Sequence, residues 1–150
     1  MLKRRVETLG FAVLVGAAVL GCDPGPMGVG VSLDRAGTLT TRIKTCHSGA
    51  LVYDVQLVDF PDGRRLRWEI NSSVGSPLRQ FTLGAVPTAF TETHKFDGAP
   101  LAGQGQFVIS TSETDGDYQS FDVASLRTGS WFIGGKLLDD SQFQSRDVCS

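Results

Sequence analysis

Arg65-Leu66-Arg67-Trp68-Glu69-Ile70 alternates charged and apolar residues over its whole length. Successive side chains of an extended strand point to opposite faces. The spacing therefore predicts Leu66, Trp68 and Ile70 on a core face, with Arg65, Arg67 and Glu69 on the other. Upstream, Leu51, Tyr53, Val55 and Leu57 keep the same period. Pro61-Asp62-Gly63 lies between the two runs. Proline presets a turn and glycine accepts positive φ, so the pair reads as a β-hairpin.

The same period recurs in both directions. Leu39, Thr41 and Ile43 alternate with Thr40, Arg42 and Lys44, and Val29, Val31 and Leu33 form a short strand before them. Phe81 with Leu83, Phe107 with Ile109, and Phe121 with Val123 follow. Trp131, Ile133, Gly135 and Leu137 read as a last continuous strand with both tryptophans, Trp68 and Trp131, in the core. No stretch of ten or more residues has helical period; only 139–147, with its acidic start, reads as a turn of helix. Short strands divided by Gly, Pro, Asp and Ser clusters predict an all-β fold, an immunoglobulin-like antiparallel β-sandwich of about seven to nine strands.

The 150 residues are 41% hydrophobic and 20% charged, with a net charge of −2. That composition buries a core and excludes a generally basic nucleic-acid binder, so no nucleic-acid partner is expected. The N-terminus is different in kind. Lys3, Arg4 and Arg5 precede an apolar run from Leu9 to Leu20. A charged start, a greasy stretch of this length and small residues at its end make a secretory signal peptide. Twelve helical residues span about 18 Å at ~1.5 Å each, well short of a hydrocarbon core of about 30 Å.

The run ends at Val19-Leu20-Gly21-Cys22, which resembles the lipobox of bacterial lipoproteins. The resemblance covers residues 1–22. It implies cleavage before Cys22 and a diacylglycerol thioether on its sulfur, with palmitate-type chains. Two acyl chains anchor stably where one is marginal. The division that follows is a signal peptide at 1–21, a lipidated tether at 22–28 and a sandwich domain at 29–150. The implied partner is the lipid bilayer, and the implied location is the extracytoplasmic face of the cell membrane. The whole arrangement resembles small lipoproteins of actinobacteria, which implies a compartment and a fold but no activity. Leu126-Arg127-Thr128-Gly129-Ser130-Trp131 resembles the Leu-x-Pro-Gly-x-x-aromatic corner of fibronectin-type domains, with Thr128 in place of the proline and the aromatic one position early.

Three cysteines are present: Cys22, Cys46 and Cys149. If lipid consumes Cys22, the other two are free to pair outside the cytoplasm; two separate buried thiols are the alternative. Cleavage removes Lys3, Arg4, Arg5 and Glu7 and leaves eleven bases against fifteen acids, a charge of −4. Such a domain is repelled by anionic headgroups, so attachment is expected through the lipid. The tether reaches at most about 20 Å and holds the domain near the bilayer.

Candidate chemistry is sparse. No Gly-x-Ser-x-Gly elbow is present. His47 and His94 are the only imidazoles, and both read as loop or edge residues. Glu113-Thr114-Asp115-Gly116-Asp117 gathers three carboxylates, but a turn on Asp115-Gly116 explains the same letters better than a calcium loop. Arg64, Arg65 and Arg67 form either an anion patch or a solvated sheet face. No catalytic residue, metal ligand or cofactor is expected. The functional expectation is a non-catalytic binding or interaction module of the cell envelope, with an envelope protein as a possible partner. The alternative is an envelope hydrolase or metal-dependent enzyme, which requires a pocket joining His47 or His94 to an acid and a hydroxyl.

Overall fold

A computed structural model describes residues 27–149 of the protein. The expected signal peptide at 1–21 and the expected lipidation site Cys22 lie outside the described residues. The first strand, β1 (Met27–Leu33), starts two residues before the expected domain boundary. The remaining strands are β2 (Leu39–Thr45), β3 (Val52–Asp59), β4 (Arg65–Ser76), β5 (Gln80–Thr82), β6 (Thr91–His94), β7 (Gln104–Thr111), β8 (Asp117–Asp122), β9 (Trp131–Ile133) and β10 (Lys136–Leu138). A short helix, α1 (Asp140–Ser145), follows them.

The strands form two antiparallel sheets of five, in the orders β10-β9-β1-β2-β5 and β6-β4-β3-β7-β8. Their apolar faces pack on each other as a β-sandwich of ten strands, against the seven to nine expected. Val29, Val31, Leu39, Ile43 and Phe81 enter the core from the first sheet, and Val55, Leu57, Trp68, Ile70, Phe107 and Phe121 from the second. A line of aromatics crosses this core. Trp68, Phe81, Phe107 and Phe121 have successive ring centroids 5.9, 5.5 and 5.7 Å apart, a spacing at which aromatic pairs attract. The Trp68 indole N–H donates to Glu92 of β6 at 2.9 Å, so the largest core side chain leaves no polar atom unpaired.

The strand reading needs four corrections. Two are β-bulges, which insert a residue and reverse the phase beyond it. Val52 and Asp54 of β3 pair with Thr111 and Ser110, leaving Tyr53 extra; Val52 is buried while Leu51 and Tyr53 are only half-buried. Leu57 pairs with Trp68 and Val58 with Leu66, leaving Arg67 extra. Arg67 is therefore buried rather than solvated. Third, 131–137 is not one strand. Gly134 and Gly135 both have positive φ (56° and 78°) and turn the chain back as a two-residue hairpin, β9 to β10. Leu137 is consequently exposed.

The fourth correction concerns which face Trp131 occupies. Phe132, opposite Val31, packs toward the main core. Trp131 and Ile133 point to the outer face of the first sheet and form a second cluster with Phe143 of α1. The helix sits close because β1 offers glycine there. A Cβ on Gly30 would lie 2.6 Å from the Phe143 ring, and one on Gly28 would lie 2.8 Å from Val148. The helix starts on a capping box, with Asp139 accepting from Gln142 N–H and the Gln142 side chain accepting from Asp139 N–H. The 139–147 turn of helix is thus present.

Candidate functional site

Cys46 and Cys149 form a disulfide across a separation of 103 residues, with Cα atoms 4.9 Å apart. It ties the end of β2 to the tail after α1, whose Val148 is buried against Gly28. Helix and tail are thereby held over the outer face of the first sheet.

A cleft opens on the same outer face. About 430 Å³ in volume, the cleft lies between β2, β5 and α1, and Arg42, Lys44, Thr45, Ser48, Arg79 and Gln80 are among its lining residues. Its size falls in the roughly 300–1,000 Å³ range of small-molecule sites. Arg42 stacks over the Trp131 ring at 4.4 Å and meets Asp140 at 2.8 Å. Asp140 also accepts the Trp131 indole N–H at 2.6 Å. Lys44 donates to the carbonyls of Gln144 and Arg146 at the end of α1. Arg79 donates to the carbonyls of Ser48 and Ala50, both at 3.0 Å. Arg42 and Lys44 occupy alternate positions of β2 on the face opposite its core residues, which was visible in the sequence. Arg79 is far from them along the chain, and only the sheet brings it alongside.

A second polar cluster closes the end of the sandwich. The fully buried Asp59 accepts from Arg65 Nε at 2.9 Å and Nη2 at 2.8 Å, from Arg67 Nη1 at 2.6 Å and from Ala102 N–H at 3.1 Å. Arg67 in turn donates to Asp97 at 2.9 Å and to the carbonyls of Ala99 and Pro100 at 2.7 and 3.2 Å. Residues 95–103 carry the chain from edge strand β6 past β4 and β3 to β7, and this network fastens that crossing. The three arginines flagged in the sequence are thus divided. Arg65 and Arg67 secure a loop, and Arg64 reaches Gln56 at 2.8 Å on the outer sheet face.

That outer face carries a strained carboxylate. Asp54 is pushed up to about 6, first by burial and then by the neighbouring Glu69 charge. Glu69 itself accepts from Gln56 and Thr93, each at 2.7 Å. Because the folded state favours the protonated Asp54, this group costs nothing below about pH 4 and destabilises the fold increasingly as pH rises from 4 through 6. Asp54→Asn is therefore expected to raise the melting temperature at pH 7.5 and to leave it unchanged at pH 3.5. Solvent reaches the carboxyl and screens it, so the gain is of the order of a few degrees. A thermal melt at both pH values checks this.

The remaining sequence candidates lie apart. His47 is exposed in the β2–β3 loop and meets Glu113 at 2.5 Å. His94 is exposed at the end of β6, opposite Glu69. Neither lines the cleft. Asp115-Gly116 forms the β7–β8 turn, with Gly116 at φ 92°. Thr111 Oγ1 accepts the N–H groups of Glu113 and Thr114 in that turn. Burial pushes Asp117 upward. Among the described residues no group of three or more His, Cys, Asp or Glu gathers as metal ligands. No described helix is long and apolar enough to cross a membrane. In comparisons with known proteins, no family model, no curated protein and no solved structure matches the chain.

Proposed function

We propose that the chain is an extracytoplasmic lipoprotein of a bacterial envelope. Residues 1–21 export it, Cys22 carries the lipid, and the sandwich is a non-catalytic binding module held at the outer side of the cell membrane. The observation that carries this reading is the pairing of Cys46 with Cys149. A structural disulfide fits an oxidising compartment. It also leaves Cys22 as the odd cysteine, at the position the lipobox resemblance marks for the lipid.

The start of β1 at Met27 supports a short tether. Only Asp23-Pro24-Gly25-Pro26 separates it from Cys22. A domain held this close meets ligands and envelope proteins at the bilayer surface rather than far from it. The cleft beside β2 is a concave feature of the described residues that gathers polar groups, and a binding function would rest on it.

Radiolabelled palmitate and a Cys22→Ser variant test the anchoring. The wild-type protein is expected to take up label and to sediment with membranes. The variant is expected to take up none and to lose most of its membrane association. A variant that still sediments fully with membranes overturns the proposal.

A further inference from the structure

We infer that the cleft between β2, β5 and α1 is a binding site for a phosphate-bearing anion, and that its place in the fold directs it to a phospholipid headgroup. The headgroup assignment rests on the anchoring proposed above; the anion site does not.

Arg42, Lys44 and Arg79 line one cleft, and among the described residues Asp140, paired to Arg42, is the carboxylate bonded to any of them. Lys44 and Arg79 have only neutral carbonyl partners among the described residues. The local charge is therefore about +2 in a mature chain of −4. Such a reversal in a concave site attracts anions well beyond contact distance.

The carbonyl bonds orient these cations without exhausting them. An ammonium has three hydrogens, and Lys44 gives two to Gln144 and Arg146. Among the described residues, neither hydrogen of Arg42 Nη2 is engaged, and the Nε–H of Arg79 has no partner either. The Nη2 group of Arg42, the Nε–H of Arg79 and the third Lys44 hydrogen are separate charged donors, which suit an acceptor with several charged oxygens better than a single carboxylate. The Ser48 hydroxyl, also at the rim, adds a neutral donor.

Position selects the source. Met27 pairs with Thr45 and Gly28 with Lys44, and both partners line the cleft. The chain thus enters the fold beside the site. Five residue steps from Cys22 to Met27 span at most roughly 16–18 Å. A lipid on Cys22 would hold the cleft within reach of headgroups of the same leaflet. An acidic domain would then have its basic site turned toward the bilayer.

The test uses the full chain in neutral-detergent micelles, with NMR signals of the Arg42 and Arg79 side-chain N–H groups as the readout. Inorganic phosphate is expected to shift both signals saturably at constant ionic strength. Lys44→Gln/Arg79→Gln, which keeps hydrogen-bonding groups but removes two charges, is expected to weaken binding roughly 10–100-fold, read on Arg42. A shift that does not saturate, or an unchanged affinity in the variant, overturns the site. Micelles doped with phosphatidylglycerol are expected to shift the signals at lower phosphate content than free phosphate does. Equal or weaker response than free phosphate overturns the headgroup assignment and leaves a soluble phosphate as the ligand. None of these outcomes requires lipid on Cys22, so a failure of palmitate labelling is separately visible.

Discussion

Asp59→Ala is expected to cost about 3–5 kcal/mol, the scale for breaking a buried ion pair by removing one partner. Asp59 is fully buried and Arg67 nearly so. Without the carboxylate, Arg67 keeps exposed Asp97 and two carbonyls, and Ala102 N–H loses its acceptor. The loss is a large share of the roughly 5–15 kcal/mol that holds a domain together. Loop 95–103 should loosen first. Urea unfolding measures the cost, and a value under about 1 kcal/mol would contradict the network's role. Asp59→Leu/Arg67→Met removes both charges and is expected to cost less than the single alanine change.

The pH dependence follows from the same contacts. The Arg65 fork, the Ala102 N–H and Arg67 hold the Asp59 carboxyl well below the usual carboxylate range, against the opposing effect of burial. A depressed folded value adds stability that is fully present above the unfolded value of about 3.9 and is lost as pH falls below it. The gap between wild type and Asp59→Ala should therefore be full at pH 6 and narrow below pH 3. Asp54 acts in the opposite sense between pH 4 and 6.

Loss of the Cys46–Cys149 bridge has an effect of similar size. Closing a loop of 103 residues is worth about 4–5 kcal/mol in the chain-entropy model. Cys46→Ala/Cys149→Ala is expected to lower the melting temperature by roughly 10–20 °C. The consequence is also local. The bridge keeps the tail and α1 over Gly28 and Gly30, and α1 supplies the carbonyls that orient Lys44. Without it, hydrogen exchange at α1 should rise before exchange in the β3–β7 core. Uniform loss of protection would contradict that picture.

Much of this fold was legible because one face of each sheet is dry. Val29, Val31, Leu39, Ile43, Phe81, Phe107, Ile109 and Phe121 were all placed in the core by period alone. Period fails where a residue is inserted. Nothing in the letters marks Tyr53 or Arg67 as bulge residues, yet each reverses the phase of its neighbours. Arg67 reads as solvated because its burial depends on Asp59 at the end of β3 meeting Asp97 and the carbonyls of a loop that crosses two strands. Trp131-Phe132-Ile133 is apolar at every position, so alternation cannot choose its face, and the outer face is also apolar there because Phe143 of α1 covers it. Gly134-Gly135 can continue a strand or turn it, which alternation does not decide either. The cleft was half legible. Arg42 and Lys44 share an outer face in the sequence, but their meeting with Arg79 depends on the pairing of β2 with β5.

Mass spectrometry of the membrane-extracted protein, alkylated without reduction, reads the anchor and the bridge together. The expected spectrum contains an N-terminal peptide that begins at Cys22 with a diacylglyceryl-sized mass on it, and a linked peptide pair containing Cys46 and Cys149. An intact Met1 end with an alkylated Cys22 would contradict the anchor, and alkylated Cys46 and Cys149 would contradict the bridge.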